Sequence, residues 1–117
     1  MFRGTTPQLI FRINFDTKRL KRVYITIKNE HKEPITVEKT IEDCTLDGMT
    51  ITTTLSQEET LKFKANEKIN VQLRILTDDD IALASQLFPM TIEKILKDGV
   101  ITWFLMLIFK RFLMIYN

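Results

Sequence analysis

The chain has one histidine, His31, and one cysteine, Cys44, and any nucleophilic or metal chemistry has to begin with them. A cysteine nucleophile needs a base within hydrogen-bond reach and a third group to orient that base. His31 falls in Asn29-Glu30-His31-Lys32-Glu33, a charged stretch before Pro34 that reads as a solvated loop between strands. Nothing in the spacing draws Cys44 towards it. Structural zinc takes about four Cys, His or carboxylate ligands, a set that one cysteine and one histidine do not supply. A lone cysteine also excludes an intrachain disulfide and fits a reducing compartment as well as any other.

Two charged clusters come next. Asp78-Asp79-Asp80 offers carboxylate oxygens, but no glycine-centred calcium loop surrounds it, so a solvated hairpin turn is expected. Lys18-Arg19-Leu20-Lys21-Arg22 is the densest basic run. It reads as an edge that discourages strand pairing, or as a contact for phosphate or an acidic partner. Gly4, Gly48 and Gly99 stand apart, so no glycine-rich loop can cradle a phosphate. No pair of acid and base residues converges on a recognisable motif, and neither an enzyme nor a cofactor is expected.

Net charge narrows the partners. The chain carries 17 Lys and Arg against 15 Asp and Glu, and Lys110 and Arg111 account for the difference. The remainder is balanced, which argues against the surplus of positive charge that neutralises phosphates on nucleic acid. The opening Met1-Phe2-Arg3-Gly4-Thr5-Thr6-Pro7 lacks the apolar run of a secretory signal, so synthesis and retention in the cytoplasm are expected.

The elements that must position these residues follow a period of two. Leu9, Phe11, Ile13 and Phe15 alternate with Arg12 and Asn14, Val23, Ile25 and Ile27 with Tyr24, Thr26 and Lys28, and Ile69, Val71, Leu73 and Ile75 with Asn70, Gln72 and Arg74. Such spacing puts apolar side chains on one face of a pleated strand. Ile35 and Val37 start a third strand, and Met49, Ile51, Thr53 and Leu55 mark a fourth. Asp47-Gly48 between them predicts a tight hairpin. Ile81 to Ser85, then Phe88, Met90 and Ile92, complete the set. Ser56-Gln57-Glu58-Glu59 is a capping-box pattern and predicts one helical turn, after which Leu61 and Phe63 plug the end of the core. The prediction is therefore an all-β, immunoglobulin-like antiparallel β-sandwich of about seven strands with one short helical turn, in a single domain over residues 1–99.

Residues 100–117 break the pattern. VITWFLMLIFKRFLMIYN has no alternation, and its apolar run from Trp103 to Phe109 is too short to span a bilayer before Lys110-Arg111. The tract reads as a membrane segment, as an interfacial or partner-binding helix, or as a non-native extension. Residue types encoded by A- and T-rich codons favour the last, through a shifted reading frame.

Several segments carry a resemblance. Phe2-Arg3-Gly4-Thr5-Thr6-Pro7, Phe15-Asp16, Val37-Glu38-Lys39-Thr40 and Asp43-Cys44 are followed by Leu55-Ser56-Gln57-Glu58-Glu59-Thr60-Leu61-Lys62-Phe63. Val71-Gln72-Leu73-Arg74, Ala82-Leu83-Ala84-Ser85 and Ile95-Leu96-Lys97-Asp98-Gly99 keep the same order. Together they resemble small proteins encoded in phages and prophages of Firmicutes, similar in style to the N-terminal modules of baseplate proteins. The resemblance covers about residues 1–101, and the tract from Thr102 onward departs from it. It implies a tail- or baseplate-associated role, with other phage structural proteins as partners in repeated copies, made in the host cytoplasm and carried into the virion. The alternatives are a host-surface or carbohydrate-binding module, and an effector that inhibits a host protein. Candidate partner-binding residues are Lys18, Arg19, Lys21 and Arg22 near one strand edge and His31 in its loop.

Overall fold

The computed structural model describes residues 1–101, so the apolar tract from Thr102 onward lies outside the described residues. Eight strands form two antiparallel sheets. The smaller has the order β1 (Gln8–Arg12), β5 (Thr50–Thr54), β4 (Cys44–Asp47). The larger runs β3 (Thr36–Thr40), β2 (Leu20–Asn29), β6 (Lys68–Thr77), with β7 (Ala82–Ala84) and β8 (Phe88–Thr91) both on the far side of β6. The all-β sandwich expected from the two-residue period is what forms.

The alternation explains the core. Val23, Ile25 and Ile27 of β2 lie opposite Ile75, Leu73 and Val71 of β6, so each cross-strand pair turns its apolar side chains the same way. These residues and Ile69 are buried in one cluster with Leu9 and Ile51 of the smaller sheet and Leu55 just after it. The central strands β2 and β6 run ten residues each. Ser56 caps the short helix α1 (Gln57–Leu61), accepting the Glu59 N–H at 3.1 Å while the Glu59 carboxylate accepts the Ser56 N–H at 2.8 Å. Phe63 then fills the end of the core, fully buried.

One correction concerns connectivity. The hairpin at Gly48 joins β4 to β5, rather than the strand of Ile35 and Val37 to its successor. A 3-10 turn at Ile41–Asp43 ends β3 and passes the chain to the smaller sheet. β4 escapes a reading by period because Cys44 and Leu46 supply only two apolar positions. Gly48 is left-handed at φ 57° and opens a two-residue loop with Met49, which the pairing of Asp47 with Thr50 closes.

An irregularity lies opposite β6. Arg74 pairs with Ala84 and Val71 with Phe88, so Gln72 and Leu73 face Ser85, Gln86 and Leu87. One extra residue makes a β-bulge. Ser85 satisfies the interrupted ladder: its N–H donates to the Leu73 carbonyl at 2.8 Å, and its Oγ accepts the Leu73 N–H at 3.0 Å. The bulge also changes parity. Leu83 shares the inner face with Ile75, and Phe88 and Met90 share it with Val71 and Ile69, although one is odd-numbered and the others even.

This order matches an immunoglobulin sandwich from its second strand on. β1, β5 and β4 take the places of B, E and D; β3, β2, β6 and the β7–β8 pair take those of C′, C, F and G. The first strand, which in that fold pairs with B, has no full counterpart among the described residues. Met1–Arg3 provide only a fragment, in which Phe2 forms a parallel bridge to Glu93.

Candidate functional site

Among the described residues this first strand is missing, and one side of their sandwich is open. β1 is an edge strand of the smaller sheet, and β7 and β8 form the edge of the larger one beside it. Between them lies a groove of about 390 Å³, lined by Phe11, Ile13 and Phe15 from one sheet and Leu73, Leu83 and Phe88 from the other. Phe11 and Phe88 meet across it, ring centroids 6.3 Å apart and planes tilted by 57°. Their contact divides the groove from a smaller one lined by Leu9, Val71 and Met90. Leu83 remains 45% exposed and Phe88 39%, although both belong to the inner face. Exposed apolar surface of this kind, next to an unpaired strand edge, suits an extended peptide that adds a strand and buries alternate side chains.

Thr17–Arg19 form a 3-10 turn that Asp16 caps, and Lys21 and Arg22 sit at the start of β2, ahead of Tyr24 where its pairing with β3 begins, so that only β6 lies beside them. Arg19 reaches Asp78 at 3.6 Å and Asp79 at 3.2 Å, and Lys21 reaches Asp80 at 3.2 Å. The acidic turn and the basic run thus neutralise each other. Asp79 also accepts from the Thr77 hydroxyl, which with Arg19 holds its carboxyl below the usual carboxylate range. Lys18 takes no part in these pairs. Arg22 lies on the outer sheet face near Tyr24 and Arg74.

His31 is a loop residue, as expected, with its side chain 57% exposed, but it is anchored. Its Nε2 lies 2.5 Å from Glu67 Oε1, and the Glu67 side chain is only 8% exposed. Glu67 also accepts from the Asn29 amide and the Lys64 N–H, both at 2.7 Å. Burial would raise the Glu67 carboxyl, but these donors outweigh it and hold the pKa below its ordinary value. The Asn29 side chain in turn accepts the Ile35 N–H at 2.8 Å, closing the loop. This constellation ties down a β2–β3 connection, and sequence spacing could not find it because Glu67 is distant in the chain.

Cys44 is not brought to His31. Its thiol donates to the Thr40 carbonyl at 3.2 Å, and burial pushes its pKa up, away from the thiolate a nucleophile needs. Among the described residues no three His, Cys, Asp or Glu side chains converge to hold a metal ion, and no helix is long and apolar enough to cross a membrane.

The chemistry of this surface is therefore that of apolar burial and strand pairing. No protein-family model matches the chain, and no curated protein matches it significantly.

Proposed function

We propose that this chain is a non-enzymatic protein-interaction module of a phage particle, docking an extended segment of a neighbouring structural protein. The observation that carries it is the open side of the sandwich, where the edge of β1, without a partner strand among the described residues, borders an apolar groove with Leu83 and Phe88 exposed. Edge strands are commonly shielded by charge, proline or covering structure. Here Arg12 is the only charged residue of β1, so the edge is weakly protected. The resemblance to phage and prophage proteins supports the particle context, and implies synthesis in the host cytoplasm before assembly.

The test is mass spectrometry of gradient-purified particles, followed by capture of the virion proteins with tagged chain carrying Leu83→Asp or no substitution. Presence of the chain in particles, and a capture lost in Leu83→Asp, is the expected outcome. Particles lacking the chain, or capture of host enzymes alone, overturns the reading.

A further inference from the structure

The near balance of charge over the chain hides a local surplus. Arg3 pairs with Asp98, Arg19 with Asp78 and Asp79, Lys21 with Asp80 and Lys39 with Glu59. Arg22 and Arg74 have no such counter-charge among the described residues, yet the larger sheet brings them together. Tyr24 lies directly opposite Arg74 across the β2–β6 ladder. Arg22 precedes Tyr24 by two residues and so shares its outer face, opposite Leu76. All three line one hollow of about 180 Å³, completed by Ile75, Leu76 and Ala82, and no carboxylate of the described residues lines it.

Two guanidinium groups in one hollow repel each other, and an anion seated between them removes that repulsion. Arginine suits this role because its planar fork offers two parallel N–H bonds to one carboxylate or phosphate. On the β3 side of Tyr24 a second hollow, of about 230 Å³, shares Arg22 but contains Glu42. Its charge is already matched, which leaves the side of Arg74 as the place for an external anion.

The rest of the Arg74 hollow is apolar. Tyr24 is 37% exposed there, beside Leu76 and Ala82. An exposed aromatic ring favours a ligand with an apolar face of its own. A nucleobase would set its polar edge against Leu76 and Ala82 without hydrogen-bond partners, which is costly. A sugar ring packs its C–H face and keeps its hydroxyls towards water and towards Thr26, two residues along the same face of β2.

We propose that the outer face around Arg22, Tyr24 and Arg74 binds an acidic polysaccharide. One carboxylate- or phosphate-bearing sugar unit lies on Tyr24 with its anion between the two guanidinium groups. The site is on the opposite face of the larger sheet from the groove beside β1, so a glycan and a protein segment do not compete for the same surface.

Biolayer interferometry with the full chain measures binding to polygalacturonate, dextran phosphate, neutral dextran, poly-glutamate and oligo(dT). The variants are Arg22→Ala, Arg74→Ala, Tyr24→Leu and, as an exposed cation outside the hollow, Lys94→Ala. Circular dichroism verifies that each is folded, and if one arginine variant does not fold the other carries the comparison. The expected result is binding to polygalacturonate, dextran phosphate or both, and none to neutral dextran. Each arginine variant should weaken it roughly tenfold or more. Tyr24→Leu should weaken it a few-fold, and Lys94→Ala should leave it unchanged. Which of the two acidic polymers binds more tightly identifies the anion.

Failure to bind either acidic polysaccharide overturns the proposal. So does binding to poly-glutamate or oligo(dT) as tight as to the glycans, because charge alone then governs it. A loss in Lys94→Ala equal to that in the arginine variants, or no loss in either of them, overturns it too.

Discussion

Arg19 Nη2 lies 3.2 Å from Asp79 Oδ2, joining the basic run before β2 to the acidic turn after β6. Both clusters stand out in the sequence as candidates for external partners, and each is the other's nearest counter-charge. Their side chains are about half exposed, where solvent screening leaves an ion pair with little net effect. Arg19→Ala should leave the urea midpoint unchanged within error at physiological salt. A clear fall would show that the turn is held by this pair and not by the Thr77 hydroxyl, which also donates to Asp79.

The capping box of α1 separates two contributions. Ser56→Ala removes one acceptor at the helix start and should cost about 1 kcal/mol. Glu59→Ala removes the reciprocal bond and also the 2.7 Å contact with Lys39, whose side chain is only 14% exposed. Leaving a largely buried cation unpaired is costlier than losing a cap. Urea unfolding should rank Glu59→Ala below Ser56→Ala, and the reverse order would mean that Lys39 finds water readily.

Two left-handed glycines differ in their surroundings. Gly48, at φ 57°, has open space around a built Cβ, so Gly48→Ala meets only the backbone penalty, about 1–2 kcal/mol. Gly4, at φ 68°, would bring that Cβ to 3.2 Å from Ile95 Cδ1 and 3.4 Å from Leu61 Cδ2. Gly4→Ala should therefore lower the melting temperature more than Gly48→Ala. Equal losses would show that Ile95 shifts aside freely.

Glu67 predicts an acid dependence. Its folded pKa is depressed, so its carboxylate favours the folded state above the unfolded value of about 4.3, and this contribution fades as pH falls through the lower folded value. Glu59 is depressed too, burial being outweighed by Lys39 and the Ser56 amide, and it acts in the same direction. Melting temperature should fall between about pH 5 and 3. Glu67→Gln should be less stable than the unsubstituted chain at pH 7 and should lose less over that interval. Parallel pH profiles would remove Glu67 from the account.

Much of the interior was legible because the strands that build it alternate cleanly. Val23, Ile25, Ile27, Ile69, Val71, Leu73 and Ile75 are all buried where their period places them. The cap of α1 was legible because Ser56 and Glu59 meet within one turn. The candidate surfaces were read less fully: Lys21 and Arg22 do lie on β2 ahead of its pairing with β3, but the ion pairs of Arg19 and Lys21 with Asp78–Asp80 join segments distant in the chain that no local pattern links. The anchoring of His31 depends on Glu67, a partner that no local pattern names.

Local periodicity and turn chemistry alone determined that the segments of β1, β2, β5 and β6 become strands, where α1 starts, and which face of β2 and β6 is buried, since each depends on neighbours a few residues away. Tertiary structure alone decided that β3 and β4 belong to different sheets, that Asp78–Asp80 neutralise Arg19 and Lys21, and that the bulge at Ser85–Leu87 turns Leu83 and Phe88 to the same side. Strand order is set by which edges find partners across the whole chain. The open groove beside β1 is the consequence of a partner strand that the described residues do not contain.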